Sequence, residues 1–466
     1  MINYKLRNSI LILFTFPFIV FAKRDSKPNI LLILVDDLGI NDLSCYGNKL
    51  IQTPNIDKLA EQGMRWQNAY SSCPVSSPTR AALLTGKTPA RLHFTGHVTA
   101  IEKHRHPENS AILPPNDLMY IPLEEITIPE MLKPYGYISA NIGKWHVGMK
   151  GFWPVNQGFD VNIGGWTHGS PPSHFFPYKD PKSSWNPEIP NLKGGKKGEY
   201  LTDRLTDETI QFIKNNKEKP FFTYLSYYAV HTPLEAPDSL VKKYIPLVAN
   251  TKINPIYAAM VESVDSNVGR IMKVLEELYL SENTIIIFAS DNGGLEEVTD
   301  NGPYKRGKGH LYEGGIRVPL IMRWPGKIKP GTISQNRTIS TDIFHTIKDI
   351  TTEGKIIKDT EDGRSLVSDF NENQRLKKRD LYWYYPHYGI GQDPGSIVIS
   401  GDYKLIEHYD PYHFELFNIT KDISEQKNLI DQMPQKAEEL KTKLHNWLNI
   451  TKPILHTPNP GYKSNI

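Results

Sequence analysis

The chain has 466 residues, of which 39% are hydrophobic and 23% are charged, a balance that is ordinary for a folded protein and argues against disorder. Its 54 basic and 51 acidic residues give a formal net charge of +3, too small for the electrostatic footprint of a nucleic-acid-binding protein. We therefore expect no nucleic acid among its partners. The two cysteines, Cys45 and Cys73, could pair in an oxidising compartment, but they do not make a disulfide scaffold.

Residues 1–22 are predicted to be a secretory signal peptide. Lys5 and Arg7 form a short positive region, residues 10–21 are apolar, and a cleavage site ends at Ala22. The alternative is a membrane anchor, but the apolar run is shorter than the ~20 residues that a membrane span needs. The sequence therefore predicts a periplasmic or secreted protein whose mature chain has no membrane span.

Four short apolar runs are predicted to be buried parallel strands, because they are hydrophobic without polar alternation. These runs are residues 29–35, 137–142, 221–228 and 284–290. Amphipathic helical patterns, including residues 55–63 and 257–278, lie between them. Strands that alternate with helices predict an α/β fold with a doubly wound, mostly parallel sheet flanked by helices.

Two later regions differ from this pattern. Residues 151–197 are rich in Pro, Gly, Trp and His and have little periodicity, so we expect long excursions over the surface. After about residue 375 the pattern becomes a series of short strands and then an amphipathic helix, at residues 381–385, 396–400, 403–409, 414–418 and 435–448. This predicts a smaller C-terminal subdomain, made of an antiparallel sheet and a helix, over residues 376–466. The larger α/β domain would occupy residues 23–375.

Ligands of open α/β sheets bind beyond the carboxyl ends of the strands, and each predicted strand leads into polar side chains there. The four groups are Asp36 with Asp37, Lys144 with His146, His231, and Asp291 with Asn292. The acidic and amide side chains among them offer only oxygen ligands, which suits a hard cation such as Ca²⁺ or Mg²⁺ rather than zinc. Either aspartate of the first group could instead cap the following turn, and a single histidine after a strand could be structural.

Residues 76–86 (SSPTRAALLTG) begin with a turn rich in Ser, Thr and Pro that opens a short helix. A helix start directs backbone N–H groups and a positive dipole end at an anion, and Arg80 can add a charge-assisted contact. Ser76 is therefore a candidate nucleophile at an anion-binding helix start. Taken alone, the segment would be better explained as a capped surface helix.

This segment resembles the signature of the sulfatase family, in which Cys or Ser is followed by x-Pro-x-Arg, three variable residues, Leu or Met, Thr and Gly. Every fixed position of that signature matches here. Other segments that resemble the family are residues 29–37, 53–57, 143–146, 291–294, 307–309, 313–319 and 400–405. The chain is thereby identified as a member of the sulfatase branch of the alkaline phosphatase superfamily, similar to bacterial arylsulfatases and polysaccharide sulfatases. The resemblance implies that residues 23–375 are the catalytic domain.

The resemblance implies that Ser76 is both modified and catalytic. A formylglycine formed from Ser76 would be hydrated and would attack sulfur to give a covalent sulfoenzyme, from which its remaining hydroxyl expels sulfate. Because the signature position is Ser rather than Cys, the partner that forms the formylglycine would be a Ser-type radical maturase, which is typical of bacteria. Cys73 is out of register with the signature and is not a candidate.

The resemblance also implies roles for the other polar residues. One Ca²⁺ per chain would be held by Asp36, Asp37, Asp291, Asn292 and residue 76. Arg80 would stabilise the hydrated aldehyde, while Lys144 and Lys308 would clamp the sulfate. His146 would bind the formylglycine hydroxyl, and His231 would be the acid for the leaving oxygen, together with Lys308.

The expected substrate is a sulfated polysaccharide or its oligosaccharides, for example ulvan, carrageenan or a glycosaminoglycan. Basic groups near aromatic rings suit such a polyanionic sugar, since rings pack on sugar faces and cations meet sulfates. The candidate substrate residues are Arg91, Lys103, Arg105 and His387. For any one of them, an ordinary surface position is the simpler explanation.

Two other functions remain open at this point. An unmodified Ser76 could serve a phosphatase or phosphodiesterase on the same scaffold, although the full signature is what maturation enzymes read. A binding protein that has lost catalysis could merely hold sulfated glycans, although no expected ligand or lysine of the site is missing. Turnover of aryl sulfate and aryl phosphate esters separates the three functions.

Overall fold

The computed structural model describes residues 27–98, 106–352, 362–370, 377–391 and 393–463. The predicted signal peptide and the candidate substrate residues Lys103 and Arg105 lie outside the described residues, so they stay predictions. No helix in these ranges combines the length and the hydrophobicity that crossing a membrane requires.

The described ranges contain sixteen strands and ten α-helices. The strands are β1 (Asn29–Val35), β2 (Met64–Trp66), β3 (Ala69–Tyr70), β4 (Ile112–Leu113), β5 (Ile138–Gly143), β6 (Val161–Ile163), β7 (Phe221–Ser226), β8 (Thr284–Ser290), β9 (Leu320–Arg323), β10 (Thr332–Ser334), β11 (Thr338–Ile339), β12 (Leu381–Tyr385), β13 (Gly395–Ser400), β14 (Tyr403–Tyr409), β15 (Tyr412–Asn418) and β16 (Thr457–Pro458). The helices are α1 (Pro54–Glu61), α2 (Ser76–Thr85), α3 (Pro89–Leu92), α4 (Ile128–Leu132), α5 (Leu201–Asn216), α6 (Asp238–Val248), α7 (Pro255–Glu277), α8 (Glu313–Ile316), α9 (Thr341–Thr352) and α10 (Pro434–Thr451).

The main sheet has eight strands in the order β10–β2–β9–β8–β1–β7–β5–β6. Strand β9 runs antiparallel to both of its neighbours, and all other neighbouring strands are parallel. The predicted α/β fold with a mostly parallel sheet is therefore confirmed. Strands β1 and β8 have the predicted bounds, whereas β7 ends at Ser226, two residues earlier than predicted.

Strand β1 shows why its sequence is apolar without alternation. All seven of its residues are buried, because the sheet is covered on both faces. Leu31, Ile33 and Val35 belong to a core that includes residues of α1, α5, α6 and α7. Ile30, Leu32 and Leu34 belong to a second core, on the other face, that includes residues of α2, α4 and α9. Two buried faces favour a continuous hydrophobic strand.

Residues 151–197 are less superficial than predicted. They contain the edge strand β6, which pairs in parallel with β5, and the buried side chains of Trp166, His174 and Tyr178. The prediction of surface excursions was therefore only partly right. The short strands β2, β9 and β10 were not predicted either, because strands of three or four residues carry too little pattern to recognise.

The C-terminal part forms an antiparallel sheet in the order β12–β13–β14–β15, and α10 packs against it, as predicted. A buried ion-pair network joins this subdomain to α8 of the larger domain. The ammonium group of Lys404 on β14 lies 3.2 Å from Glu313 Oε1 and 2.8 Å from Glu425 Oε1. The two cysteines are free in the structure; Cys73 is buried and Cys45 is partly buried.

Candidate active site

The ends of β1 and β8 bring the predicted oxygen ligands together. These two strands are parallel neighbours in which Val35 lies opposite Ser290, so the residues that follow them are adjacent. The backbone N–H of Asp37 donates to Asp291 Oδ1 at 3.2 Å, and the amide of Asn292 donates to Asp37 Oδ1 at 2.9 Å. One carboxylate oxygen each from Asp36, Asp37 and Asp291 lie within 4.8 Å of one another, and all three residues are buried.

The side chain of Ser76 reaches this acidic group from the first position of α2. Its Oγ lies 3.1 Å from Asp36 Oδ1 and 3.2 Å from Asn292 Oδ1. The ammonium group of Lys144, at the end of β5, donates to the same Oγ at 3.3 Å. The candidate nucleophile therefore touches two of the oxygen ligands and one cation.

Three buried cations neutralise the three carboxylates. Lys144 Nζ lies 2.6 Å from Asp36 Oδ2, and Lys308 Nζ lies 2.6 Å from Asp37 Oδ2. Arg80, one turn along α2 from Ser76, donates from Nε to Asp291 Oδ2 at 2.8 Å. The guanidinium of Arg80 also donates to the hydroxyl of Ser226 at the end of β7. The three cations therefore match the three carboxylates in number, so the group is close to neutral when all of them are ionised.

These contacts move the pKa values of the carboxylates in different directions. Burial raises the pKa of Asp36 to about 7, since repulsion from Asp291 and Asp37 adds to burial and Lys144 only partly offsets it. Burial would also raise the pKa of Asp37, but the cations beside it, Lys308 above all, hold that pKa well below its usual range. A further cation beside Asp36 would therefore lower the pKa of its carboxyl group and favour the charged form.

His146 lies at the end of β5, two residues after Lys144, in the left-handed backbone region with a φ of 60°. A non-glycine residue is uncommon there and is held by its surroundings. Its Nε2 lies 2.9 Å from the carbonyl oxygen of Val98, so Nε2 carries the proton and Nδ1 is an acceptor. Among the described residues, Nδ1 has no hydrogen-bond partner. Burial and the nearby Lys144 hold the pKa of His146 well below its usual range, so the ring is neutral.

His231 lies beyond the end of β7, where its side chain is 20% exposed. Its Nε2 lies 3.7 Å from Asp37 Oδ2, and its Nδ1 lies 2.8 Å from the carbonyl oxygen of Thr232. Burial and the neighbouring Lys308 lower the pKa of His231 to about 3, so this ring is also neutral near pH 7. The ring carries its proton on Nδ1, and Nε2 faces the acidic group as an acceptor.

Two family models match the chain. The model described as "Sulfatase" matches residues 28–353, and the model described as "N-sulphoglucosamine sulphohydrolase, C-terminal" matches residues 305–452. The chain belongs to the sulfatase family. It is therefore a sulfuric ester hydrolase, and the resemblance noted in the sequence is confirmed.

This sulfatase is similar to several known proteins. A sulfatase of Formosa agariphila is 32% identical, over 92% of this chain and 90% of the relative. The N-acetylgalactosamine-6-sulfatase of Homo sapiens is 36% identical over 68% of this chain, but only 61% of that enzyme is covered. The crystal structure of Ps i-CgsB in complex with k-i-k-neocarrahexaose superimposes with a TM-score of 0.77 at 30% identity, covering 91% of this chain and 93% of that one.

The donor set of the sulfatase fits a hard divalent cation. Three carboxylates and the amide oxygen of Asn292 are oxygen donors, the type that Ca²⁺ and Mg²⁺ prefer, and no sulfur or imidazole ligand is part of the set. Burial raises the pKa of Asp36, repulsion from Asp291 and Asp37 adds to this effect, and a bound cation would offset that repulsion. The residues present therefore fit the metal that the family uses.

The structure describes two of the candidate substrate residues, Arg91 and His387. The guanidinium of Arg91 binds both oxygens of Asp362, at 2.7 and 3.0 Å, in a cleft that Tyr382 and Trp447 also line. The structure thus gives Arg91 a carboxylate partner inside the protein, and its contact with substrate stays a prediction. His387 Nε2 lies 2.8 Å from Thr95 Oγ1, and its side chain is 12% exposed. Its ring packs against Gly96, at the edge of the segment that leads to Val98.

Three residues of the site were missed by the sequence analysis. Ser226 accepts a hydrogen bond from Arg80, the carbonyl oxygen of Val98 accepts one from His146, and Gly169 leaves room for the His146 ring. A Cβ atom at position 169 would lie 2.3 Å from that ring. Ser226 could have been found as a polar residue within a predicted apolar strand. Nothing in the local sequence marks Val98 or Gly169, because their partner lies far along the chain.

Proposed function

We propose that this sulfatase removes sulfate from a sulfated carbohydrate by means of a formylglycine made from Ser76 and one bound Ca²⁺. The observation that carries the proposal is the position of Ser76 Oγ, within 3.3 Å of Asp36, Asn292 and Lys144 at the start of α2. A nucleophile at this position contacts both candidate metal ligands and a positively charged group. The complete signature in residues 76–86 supports the modification of this serine.

Formylglycine would supply a hydrated aldehyde, in which one hydroxyl serves as the nucleophile for sulfur and the other allows sulfate to leave without attack by water. The protein's own groups hold this residue. Arg80 and Lys144 bring positive charge to position 76, and Lys144 already donates to its Oγ. Neutral His146 has a buried, unpartnered Nδ1, which is suited to accept a hydrogen bond from a hydroxyl at position 76.

Calcium would be held by Asp36, Asp37, Asp291 and Asn292, with residue 76 completing the set, and would supply a Lewis acid for a sulfate oxygen. The charges of the site support a metal and an anion that bind together. The three carboxylates and three cations of the protein already balance. A divalent cation and the singly charged sulfate ester therefore leave only one unit of positive charge, which is far less costly to bury than the cation alone.

Departure of the sugar oxygen requires a proton, and His231 and Lys308 are our candidates for its source. Both lie next to Asp37, at 3.7 and 2.6 Å. His231 is neutral in the absence of substrate, because its pKa is lowered to about 3. A bound sulfate ester would add negative charge beside the ring and raise its pKa, so that Nε2 could take up the proton that it then donates.

A sulfated carbohydrate is our proposed substrate because of what the relatives act on or bind. One similar enzyme is an N-acetylgalactosamine-6-sulfatase, and one similar structure holds k-i-k-neocarrahexaose. Ulvan, carrageenan and glycosaminoglycan oligosaccharides are therefore the first substrates to screen. Export to the periplasm or the medium, and maturation by a Ser-type radical enzyme, belong to the same proposal and rest on residues 1–22 and on Ser76.

The test compares ester types and nucleophile variants. The protein is produced together with a Ser-type maturase and assayed on an aryl sulfate, on the matching aryl phosphate and on desalted sulfated oligosaccharides. We expect turnover of the sulfates, little turnover of the phosphate, and loss of all activity in Ser76→Ala. Equal or greater turnover of the phosphate, or an active Ser76→Ala variant, would contradict the proposal.

A further inference from the structure

A basic cleft lies between the two domains, on a part of the protein that the catalytic proposal does not use. It begins with the sequence Lys377-Lys378-Arg379, directly before β12. Arg337, from the loop between β10 and β11, and Arg364 line the same cleft, which has a volume of about 490 Å³. Asp380 and Asp402 are its acidic lining residues, so positive charge predominates.

Arg379 pairs with Asp342, and Arg317, which also lines the cleft, pairs with Glu313, but the other cations of the cleft have no carboxylate partner among the described residues. Of the described residues, none places a carboxylate oxygen within 4 Å of Arg337, Arg364, Lys377 or Lys378. The guanidinium groups of Arg337 and Arg364 are instead held by neutral backbone carbonyls of Gly401, Lys377 and Arg337. Carbonyl partners fix the direction of a guanidinium but leave its charge available to a ligand.

Two arginines of the cleft also keep buried donors unused. The Nε atoms of Arg364 and Arg379 are buried and have no hydrogen-bond partner among the described residues. A buried polar group without a partner costs free energy, and such groups call for an explanation such as a missing ion or ligand. Repulsion from Arg379 adds to burial in lowering the pKa of Arg364. An anion in the cleft would relieve both costs.

The cleft is separate from the group around Ser76. Arg379 and Asp380 precede the first residue of β12, whereas His387, which packs beside Gly96, follows the last residue of that strand. Strand β12 alone spans about 13 Å at ~3.3 Å per residue. A group bound beside His387 is therefore separated from the cleft by the length of this strand, and only a longer chain could contact both.

We propose that this basic cleft binds sulfate or carboxylate groups of a polysaccharide chain at a distance from the ester that is hydrolysed. The inference rests on the proposed substrate class, a sulfated carbohydrate, and deepens it to a polyanionic polymer. The net charge of the chain is only +3, so attraction to a polyanion must come from a local concentration of cations such as this one. A second contact raises the effective concentration of the polymer at the active site without changing the chemistry.

The test uses charge reversal in the cleft and a matched reversal elsewhere. The double variant Lys377→Glu/Lys378→Glu is compared with the double variant Lys214→Glu/Lys217→Glu. The second variant changes the net charge by the same amount, but at the C-terminal end of α5, before β7. Binding of fluorescent dextran sulfate at low ionic strength is measured by anisotropy, and melting temperatures report that each variant is folded. We expect the dissociation constant to rise about tenfold in the first variant and little in the second.

Several results would overturn the inference. Equal affinities for dextran sulfate in the wild type and the cleft variant would do so, and so would equal losses in both variants, which would indicate net charge alone. A cleft that prefers a single-stranded oligonucleotide of equal charge over dextran sulfate would also contradict it. If the double variant fails to fold, the affinity of the single variant Arg337→Glu for dextran sulfate is measured instead. Turnover of sulfated oligosaccharides by the wild type is measured in parallel. Turnover without a contribution of the cleft to binding would contradict this inference alone, whereas absence of turnover would contradict the proposed function.

Discussion

The ammonium group of Lys308 lies 2.6 Å from Asp37 Oδ2, and Lys144 makes the equivalent contact with Asp36 at the same distance. Each lysine thus pairs with one carboxylate of the candidate metal-binding set and leaves the Oδ1 atom of that carboxylate to other partners. These two lysines and a bound cation would share the same carboxylates, and the ammonium groups would supply positive charge for an anion at the site.

Removal of the metal should abolish activity and lower the melting temperature. A ligand that binds only the native state stabilises it by mass action, by about 2.7 kcal/mol at a concentration of 100 Kd. Melting curves and aryl sulfate turnover are measured after chelation and after Ca²⁺ is added back. Asp291→Ala should no longer respond to Ca²⁺ in either measurement. Full activity of that variant after exhaustive chelation would rule out the ligand set.

Lys404→Met should destabilise the protein severely. Lys404 is buried between Glu313 and Glu425, so its loss leaves two buried carboxylates without their shared cation. Removing one partner from a buried ionic group typically costs about 3–5 kcal/mol. Lys443→Met is the matched control, because Lys443 pairs with Asp380 at the surface and should contribute about 1 kcal/mol or less. Urea unfolding that gives equal losses for the two variants would contradict this role.

The stability contributed by His408 should disappear at alkaline pH. Burial opposes its protonation, but hydrogen bonds to Asp393 and Glu415, at 2.6 and 3.0 Å, raise the pKa of His408 to about 9. A histidine whose pKa is higher in the folded state stabilises that state. The full stabilisation is present at pH values below the unfolded pKa of about 6.5, and it is lost as the pH rises through the folded pKa of about 9. The difference in unfolding free energy between wild type and His408→Gln should therefore shrink from pH 6.5 to pH 9. A difference that grows over this range would have the wrong sign.

The predicted substrate residues should separate into two classes. Lys103→Ala and Arg105→Ala should lower kcat/KM on a sulfated oligosaccharide more than on an aryl sulfate, because remote contacts serve only the longer substrate. His387→Ala should lower both, since His387 contacts Thr95 in the segment whose Val98 carbonyl orients His146. Kinetics on the two substrates are compared for each variant. A His387→Ala variant that is impaired only on the oligosaccharide would instead support the prediction that His387 contacts the substrate.

Secondary structure was predicted most accurately where a local sequence pattern had a single physical cause. Strands β1 and β8 were predicted with their observed bounds, because burial on both faces requires an uninterrupted apolar run. The meeting of Asp36 with Asp291 followed from the parallel pairing of those strands. Short strands such as β9 were missed, since four residues show no reliable period.

Contacts between distant segments could not be predicted. The ion pair of Arg91 joins it to Asp362, 271 positions away, and no local pattern in the sequence indicates that partner. The orientation of His146 depends on the carbonyl oxygen of Val98 and on the absence of a side chain at Gly169. Every residue has a backbone carbonyl, so the sequence does not indicate which one accepts the hydrogen bond from His146. A glycine in the sequence does not indicate which side chain packs against it. Such details become visible only when the chain is folded.

The mass of the peptide that contains Ser76, taken from enzyme with measured sulfatase activity, tests the central claim most directly. The protein is produced with a Ser-type maturase, digested and analysed by mass spectrometry with and without a hydrazine reagent. We predict a species lighter than the serine peptide by one H₂ that reacts with the reagent, in an amount that follows specific activity across preparations. Fully active enzyme that carries only unmodified serine at position 76 would contradict the account.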